Sequence, residues 1–202
     1  MSTFDKLLDK KAPYLFFIKF LSCFFILYFF FYFYWGVTGK GGAMFSPSLA
    51  ENFNIIKGLS SFLTFSAKQV LELFSFNVHQ MNFHTLRIDY SKGISVNPDC
   101  LGWGVMSFWV AFVFANPGRL QHKSIWMALG LTSVVLLNIT RIVLIAISNH
   151  RHWKTISPLD HHQTFNILAY GFIFLLMYAY IRVQKKHEAI YLKGTKEDSK
   201  TG

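Results

Sequence analysis

The chain has 202 residues, of which 52% are apolar, 18% aromatic and only 15% charged, and 23 are phenylalanine. Soluble domains carry about 25% charged residues, and here the apolar ones lie in blocks of membrane-spanning length, so a soluble enzyme, a disulfide scaffold and a disordered tail are all excluded. The net charge of +10 comes from Lys and Arg placed mostly beside the apolar blocks, where membrane topology explains them without a nucleic-acid partner.

The expected fold class is an all-α membrane protein forming a single integral membrane domain. It has about four transmembrane helices, with an extracytoplasmic amphipathic helix and a small hairpin between the first and second. The first span covers 12–37 and contains the run Leu21 to Trp35. It is too long for a signal-peptide core, and no small-residue cleavage site follows, so it reads as a retained anchor. Lys6, Lys10 and Lys11 place residues 1–11 in the cytoplasm, and Tyr32, Tyr34 and Trp35 form an aromatic belt at the far end.

Residues 38–98 are expected outside. Within 47–76, Leu49, Phe53, Ile56, Leu63, Val70 and Phe74 recur at helical spacing, while Glu51, Lys57, Lys68 and Glu72 interrupt any lipid-facing span. That pattern predicts an amphipathic helix on the outer surface or against the bundle, not a crossing. Leu86, Ile88 and Tyr90 then alternate, followed by Ser91-Lys92-Gly93, Ile94 and Val96, which predicts a hairpin with a glycine turn.

The second span covers 99–115. Asn97 is a candidate cap and Pro98 a first helical residue, which places Cys100 in the first turn, where free N–H groups favour a thiolate. Asp99 opposes that effect, and a lone Cys at a membrane edge also fits a packing role. Gly104, Ser107, Ala111 and Ala115 make a small-residue seam. Asn116-Pro117-Gly118 ends the span, and Arg119, His122 and Lys123 mark a cytoplasmic loop. Cys23 lies inside the first apolar run, so it and Cys100 make no disulfide framework.

In the third span, 125–149, Arg141 lies sixteen residues past Ile125, roughly 24 Å along the helix. A charge at that depth costs about 2–3 kcal/mol, so Arg141 should face the bundle interior, with Asn138 on the same face. A purely structural pairing is the alternative. The fourth span, 158–183, opens with Ser157 and Asp160 in capping-box spacing around Pro158, which puts His161 and His162 in its first turn. The helix dipole there suits a neutral base. His162 shares its face with Asn166, whereas His161 points about 100° away. Adjacent histidines diverge and lack an acidic or Cys partner at ligand spacing, so no metal and no cofactor is expected. The 150–157 loop is expected outside, and the tail 184–202, with Lys185, Lys186, Lys193, Lys196 and Lys200, inside.

This topology brings Cys100, Arg141 and a histidine to the outer side of the membrane. A thiol nucleophile, an imidazole base and a fixed cation are the minimal parts for acyl transfer through a thioester. The competing reading is a non-catalytic membrane binding or assembly protein whose polar cluster holds its helices together.

Asp99-Cys100-Leu101-Gly102, Asn138-Ile139-Thr140-Arg141-Ile142 and His162-Gln163-Thr164-Phe165-Asn166, in that order and in a membrane setting, resemble the exosortase/archaeosortase family of membrane cysteine transpeptidases. The resemblance covers about 95–180. The chain departs from it at Asp99, where members often have a small residue, at Leu101, where they have Ser or Thr, and at Asn166, where many have Gly. The resemblance implies Cys100 as nucleophile, Arg141 as the group that stabilises charge, and His162 as general acid and base, with His161 as second choice. Asn138 and Asn166 would support them. It also implies a multi-pass protein of the cell's inner (cytoplasmic) membrane, with the site on the extracytoplasmic side. Its partners would be membrane-anchored proteins whose C-terminal signal has a short motif, a transmembrane helix and a basic cluster.

Overall fold

A computed structural model describes residues 3–39, 44–151 and 167–186. Its helices are α1 (Thr3–Thr38), α2 (Pro47–Asn52), α3 (Ile55–Leu73), α4 (Trp103–Ala115), α5 (Leu120–His150) and α6 (Ile167–Lys186). A three-stranded sheet lies between α3 and α4 in the chain. Tyr14–Thr38 of α1, all of α5 and all of α6 are long and apolar enough to cross a membrane. The apolar α4 has 13 residues. At 1.5 Å per residue it spans about 20 Å, less than a hydrocarbon core of about 30 Å.

The short helix is the inner one. Trp109, Ala111 and Val113 of α4 are out of solvent contact altogether, and Ser107 and Ala115 of its small-residue seam are buried with them. Helix α1 runs antiparallel to it: Phe16 meets Phe112 edge-on, Phe20 meets Phe108, and Phe31 stacks on Trp103. The Trp103 indole donates to the Leu27 carbonyl at 3.0 Å, so the phenylalanine-rich helix has one fixed polar tie to its neighbour. Helix α5 approaches from another side at Gly130. A Cβ there would stand 1.9 Å from Nε1 of Trp109, which donates to the Trp126 carbonyl at 3.0 Å. Glycine at 130 is therefore the space that the Trp109 ring occupies. Tyr180 of α6 presses edgewise on Trp109, Phe112 and Trp126.

Helix α5 begins at Leu120, five residues before the expected start, so His122 and Lys123 stand in its first turn and not in a loop. Lys123 Nζ donates to the Phe114 carbonyl at 2.9 Å. That carbonyl belongs to the last turn of α4 and has no partner within its own helix, which is what draws the lysine there.

Residues 47–76 do not form one continuous helix. The chain breaks at Phe53 and Asn54, where the Asn54 side chain accepts from the Lys57 N–H at 2.8 Å and caps α3. Leu49 and Phe53, which would share a stripe with Ile56 in an unbroken helix, are instead exposed. In α3 itself Ile56, Ser60, Leu63, Thr64, Ala67 and Leu71 are buried, facing α5 and the sheet.

The sheet holds β1 (Val78–Asn82), β2 (Thr85–Ile88) and β3 (Ile94–Ser95) in antiparallel order. Thr85 pairs with Ser95 and Leu86 with Ile94, which is the hairpin read from the alternation around Gly93. The first strand was not expected; it pairs Val78 with Ile88 and Gln80 with Leu86. Only Val78 of β1 is buried, so the strand carries almost no apolar signal. Tyr90 leaves the alternation: its φ is +59° and its side chain is wholly exposed, because the chain turns directly after Ile88. Leu86, Ile88 and Val96 join Leu63, Leu71 and Ile142 in a core beneath the sheet.

Candidate thiol–guanidinium site

Residues Pro98–Leu101 form a single 3-10 turn. Pro98 supplies a fixed φ at its first position, and the Cys100 N–H donates to the Asn97 carbonyl at 2.8 Å. The Asn97 side chain makes no cap; its Oδ1 accepts from the Ser95 hydroxyl at 3.3 Å. Gly102 follows at φ +73°, and α4 starts only at Trp103. Cys100 thus lies in a turn set ahead of α4, not in the first turn of that helix. The left-handed step at Gly102 separates the two, so the helix-dipole argument built on the expected position falls with it.

Two residues of α5 meet this turn. Asn138 and Arg141, three apart and therefore on one face, are 8% and 9% exposed. The Asn138 amide donates to the Leu101 carbonyl at 2.9 Å, which fixes the Leu101–Gly102 peptide, one residue past Cys100. Nη2 of Arg141 stands 4.0 Å from Sγ of the half-buried Cys100. A Cβ on Gly102 would come within 2.7 Å of Nδ2 of Asn138 and 3.2 Å of Cγ1 of Val134. Glycine is needed here twice over, for its backbone angle and for the room it leaves the asparagine.

A groove of about 910 Å³ opens beside the turn between α1, α4, α5 and α6. Arg141, Asn138 and Gly102 line it together with Tyr28, Tyr32 and Leu168, and most of the rest of its wall is apolar. Chemically the arrangement offers a thiol, a guanidinium near it and a largely apolar groove, the components of charge-stabilised attack on a carbonyl. Among the described residues no group of three His, Cys, Asp or Glu could hold a metal ion.

The structure therefore brings together Cys100, Arg141 and Asn138. His161, His162 and Asn166, with the expected start of the fourth span at Pro158, lie outside the described residues. The chain returns at Ile167, and its next residue, Leu168, lines the groove with Arg141. Sequence reasoning missed two contributors. Gly102 was read only as the last residue of the Cys100 motif, although a glycine between a proline-led turn and an apolar run is a signal for a left-handed step. Trp103, whose indole anchors the start of α4 on α1, looked like one more aromatic in an apolar run.

Compared with known proteins, the chain matches no family model, no curated protein and no solved structure.

Proposed function

We propose that the chain is a multi-pass membrane cysteine transpeptidase or protease of the exosortase kind, acting on the C-terminal sorting signals of exported proteins. The observation that carries this is the 4.0 Å approach of Arg141 Nη2 to Cys100 Sγ, two chemistry-bearing groups 41 positions apart. An ionisable residue buried in a spanning helix is costly, and a thiol at its end gives it a chemical purpose. The Cys100 thiolate attacks the scissile carbonyl carbon, and the thiol proton passes to His162. Arg141 stabilises the oxyanion of the tetrahedral intermediate. The C–N bond then breaks, and the leaving amine takes its proton from His162 and departs with the apolar helix and basic tail. An amine or water next attacks the thioester, gives its proton to His162 and restores the thiol.

In this reading α1, α4, α5 and α6 cross the inner membrane, both termini are cytoplasmic, and 38–98 and 150–157 lie outside with the site. The short α4 crosses as a shielded inner helix. The outward face of α3, where Ile55, Phe62 and Leu73 are exposed, rests on the outer lipid surface.

One observation favours a second reading. The Asn138–Leu101 bond ties α5 to the Cys100 turn without any chemistry, as a non-catalytic membrane binding or assembly protein would need. The two separate on a single comparison. An exported reporter domain is fused to a tail of short motif, apolar helix and basic cluster and co-expressed with wild type or Cys100→Ala at matched levels. Release by wild type and none by the variant is expected. Equal release by both ends the enzyme reading.

A further inference from the structure

The Cys100 turn has a cavity on each side. Gly102 and Trp103 line the apolar groove between the spanning helices. Asn97 and Pro98, at the other end of the same turn, line a separate, partly open cavity of about 590 Å³ bordered by the end of α1, by α2, by α3 and by the turn between β1 and β2. Cys100 lines neither, so its turn is the partition between them. From this geometry we propose that the second cavity binds an extended, uncharged stretch of substrate polypeptide next to the bond that Cys100 attacks, with His84 as a hydrogen-bonding contact. The proposal rests on the transpeptidase reading and names where its substrate sits.

The size lies within the range of sites that hold a small ligand or a few residues of chain. The lining selects against ions. Glu51 and Lys57 carry opposite charges there, so the cavity has no single sign with which to draw in a phosphate or a polyamine, while Trp35 and Phe83 give it apolar walls. His84 lines the same cavity, and its Nδ1 is buried with no hydrogen-bond partner. A buried ring nitrogen left unmet costs about 1–3 kcal/mol, and a turn of the His84 ring toward the cavity would let a bound peptide group meet it. The tautomer decides whether Nδ1 accepts from a peptide N–H or donates to a peptide carbonyl.

Connectivity favours a polypeptide over a free small molecule. The Val96 N–H donates to the His84 carbonyl at 2.7 Å, which fixes His84 beside the strand that leads into Asn97, Pro98 and Cys100. Pro98 and Cys100 are two positions apart, a reach of at most about 7 Å between their Cα atoms. A chain held against Pro98 therefore has its next bonds beside the Cys100 turn. On the far side of the turn the same chain would meet the apolar groove. A polymer with a polar segment followed by an apolar one occupies both spaces across the partition, and a small molecule occupies one.

The test uses the full chain in proteoliposomes and the tailed reporter described above, with release followed against reporter concentration. His84→Ala should raise KM about tenfold with kcat changed less than threefold, the size expected for one lost neutral hydrogen bond. His84→Gln, which keeps a donor and an acceptor, should recover part of it. Ala50→Phe, which adds bulk to the cavity from α2 and leaves the His84 ring in place, should raise KM as well. In a Cys100→Ala background the same substitutions should weaken reporter binding by the same factors, a readout independent of turnover. Unchanged KM and unchanged binding in both His84→Ala and Ala50→Phe overturn the proposal, as does a loss confined to kcat. If His84→Ala does not fold, Ala50→Phe decides alone. Release that survives Cys100→Ala overturns the transpeptidase reading instead, and the binding arm still judges the cavity.

Discussion

The side-chain amide of Asn138 donates to the Leu101 carbonyl at 2.9 Å, so the helix that carries Arg141 also holds the Leu101–Gly102 peptide beside Cys100. One face of α5 thereby sets both the position of the turn and the distance from guanidinium to sulfur. Leu101 is fully buried, and its carbonyl would otherwise be an unmet acceptor in an apolar setting.

Gly102→Ala should therefore be the most damaging small substitution near the turn. A left-handed angle costs a residue with a Cβ about 1–2 kcal/mol, and that Cβ would press on Asn138 at 2.7 Å. The expected result is a lower thermal midpoint in detergent together with loss of reporter release. Gly36→Ala and Gly58→Ala, whose added methyl meets nothing within 4 Å, should be near silent in the same assays. A Gly102→Ala protein as stable and active as these controls would show that the turn is not held as described.

Gly130→Ala tests the other end of the bundle. Its Cβ would overlap the Trp109 indole at 1.9 Å and must displace a wholly buried ring from its bond to the Trp126 carbonyl. Overpacking of this kind costs about 1–3 kcal/mol. Adding Trp109→Phe, which frees part of the space, should recover stability lost in Gly130→Ala, although Trp109→Phe alone should destabilise. Simple additivity of the two losses in thermal unfolding would contradict the packing described here.

What the sequence made legible is what rests on long patterns. The apolar blocks are long enough to announce the spanning helices, and the depth of Arg141 along its helix already suggested a neighbour near the start of the second span. The rest turns on single residues whose effect depends on tertiary contacts. Pro98 opens a helix in either case, and it is the left-handed backbone of Gly102, set where a Cβ would press on Asn138 and Val134, that separates the turn from α4. Asn54 lies inside an apparently periodic stretch, and its cap on Lys57 splits that stretch in two. Strand β1 has one buried residue, so its pairing with β2 leaves almost no trace in hydropathy.

The proposed topology rests on the charge pattern and has a direct measurement. In a Cys23→Ser, Cys100→Ala background, Tyr90→Cys and Gln121→Cys place single thiols at exposed positions near opposite ends of the fold. With intact cells and an impermeant maleimide, position 90 should label at once and position 121 only after permeabilisation. The reverse pattern would invert the protein in the membrane and put the Cys100 turn on the cytoplasmic face.

The base is assigned by helical spacing. If the last helix begins near Pro158, His162 sits one turn before Asn166, on a shared face, and His161 points about 100° away toward the face of Phe165. His162→Ala should then abolish reporter release, whereas His161→Ala should leave much of it, both at normal protein levels. A Cys100 nucleophile without its base loses roughly 10²–10⁴-fold in rate, so the contrast should be visible without kinetic refinement. Loss in His161→Ala alone would move the role one position back and leave the Cys100–Arg141 arrangement untouched. Equal loss in both would mean that one ring fixes the tautomer of the other. In that case a conservative His161→Gln, which keeps a hydrogen-bonding group without the titrating ring, should restore release, while His162→Gln should not.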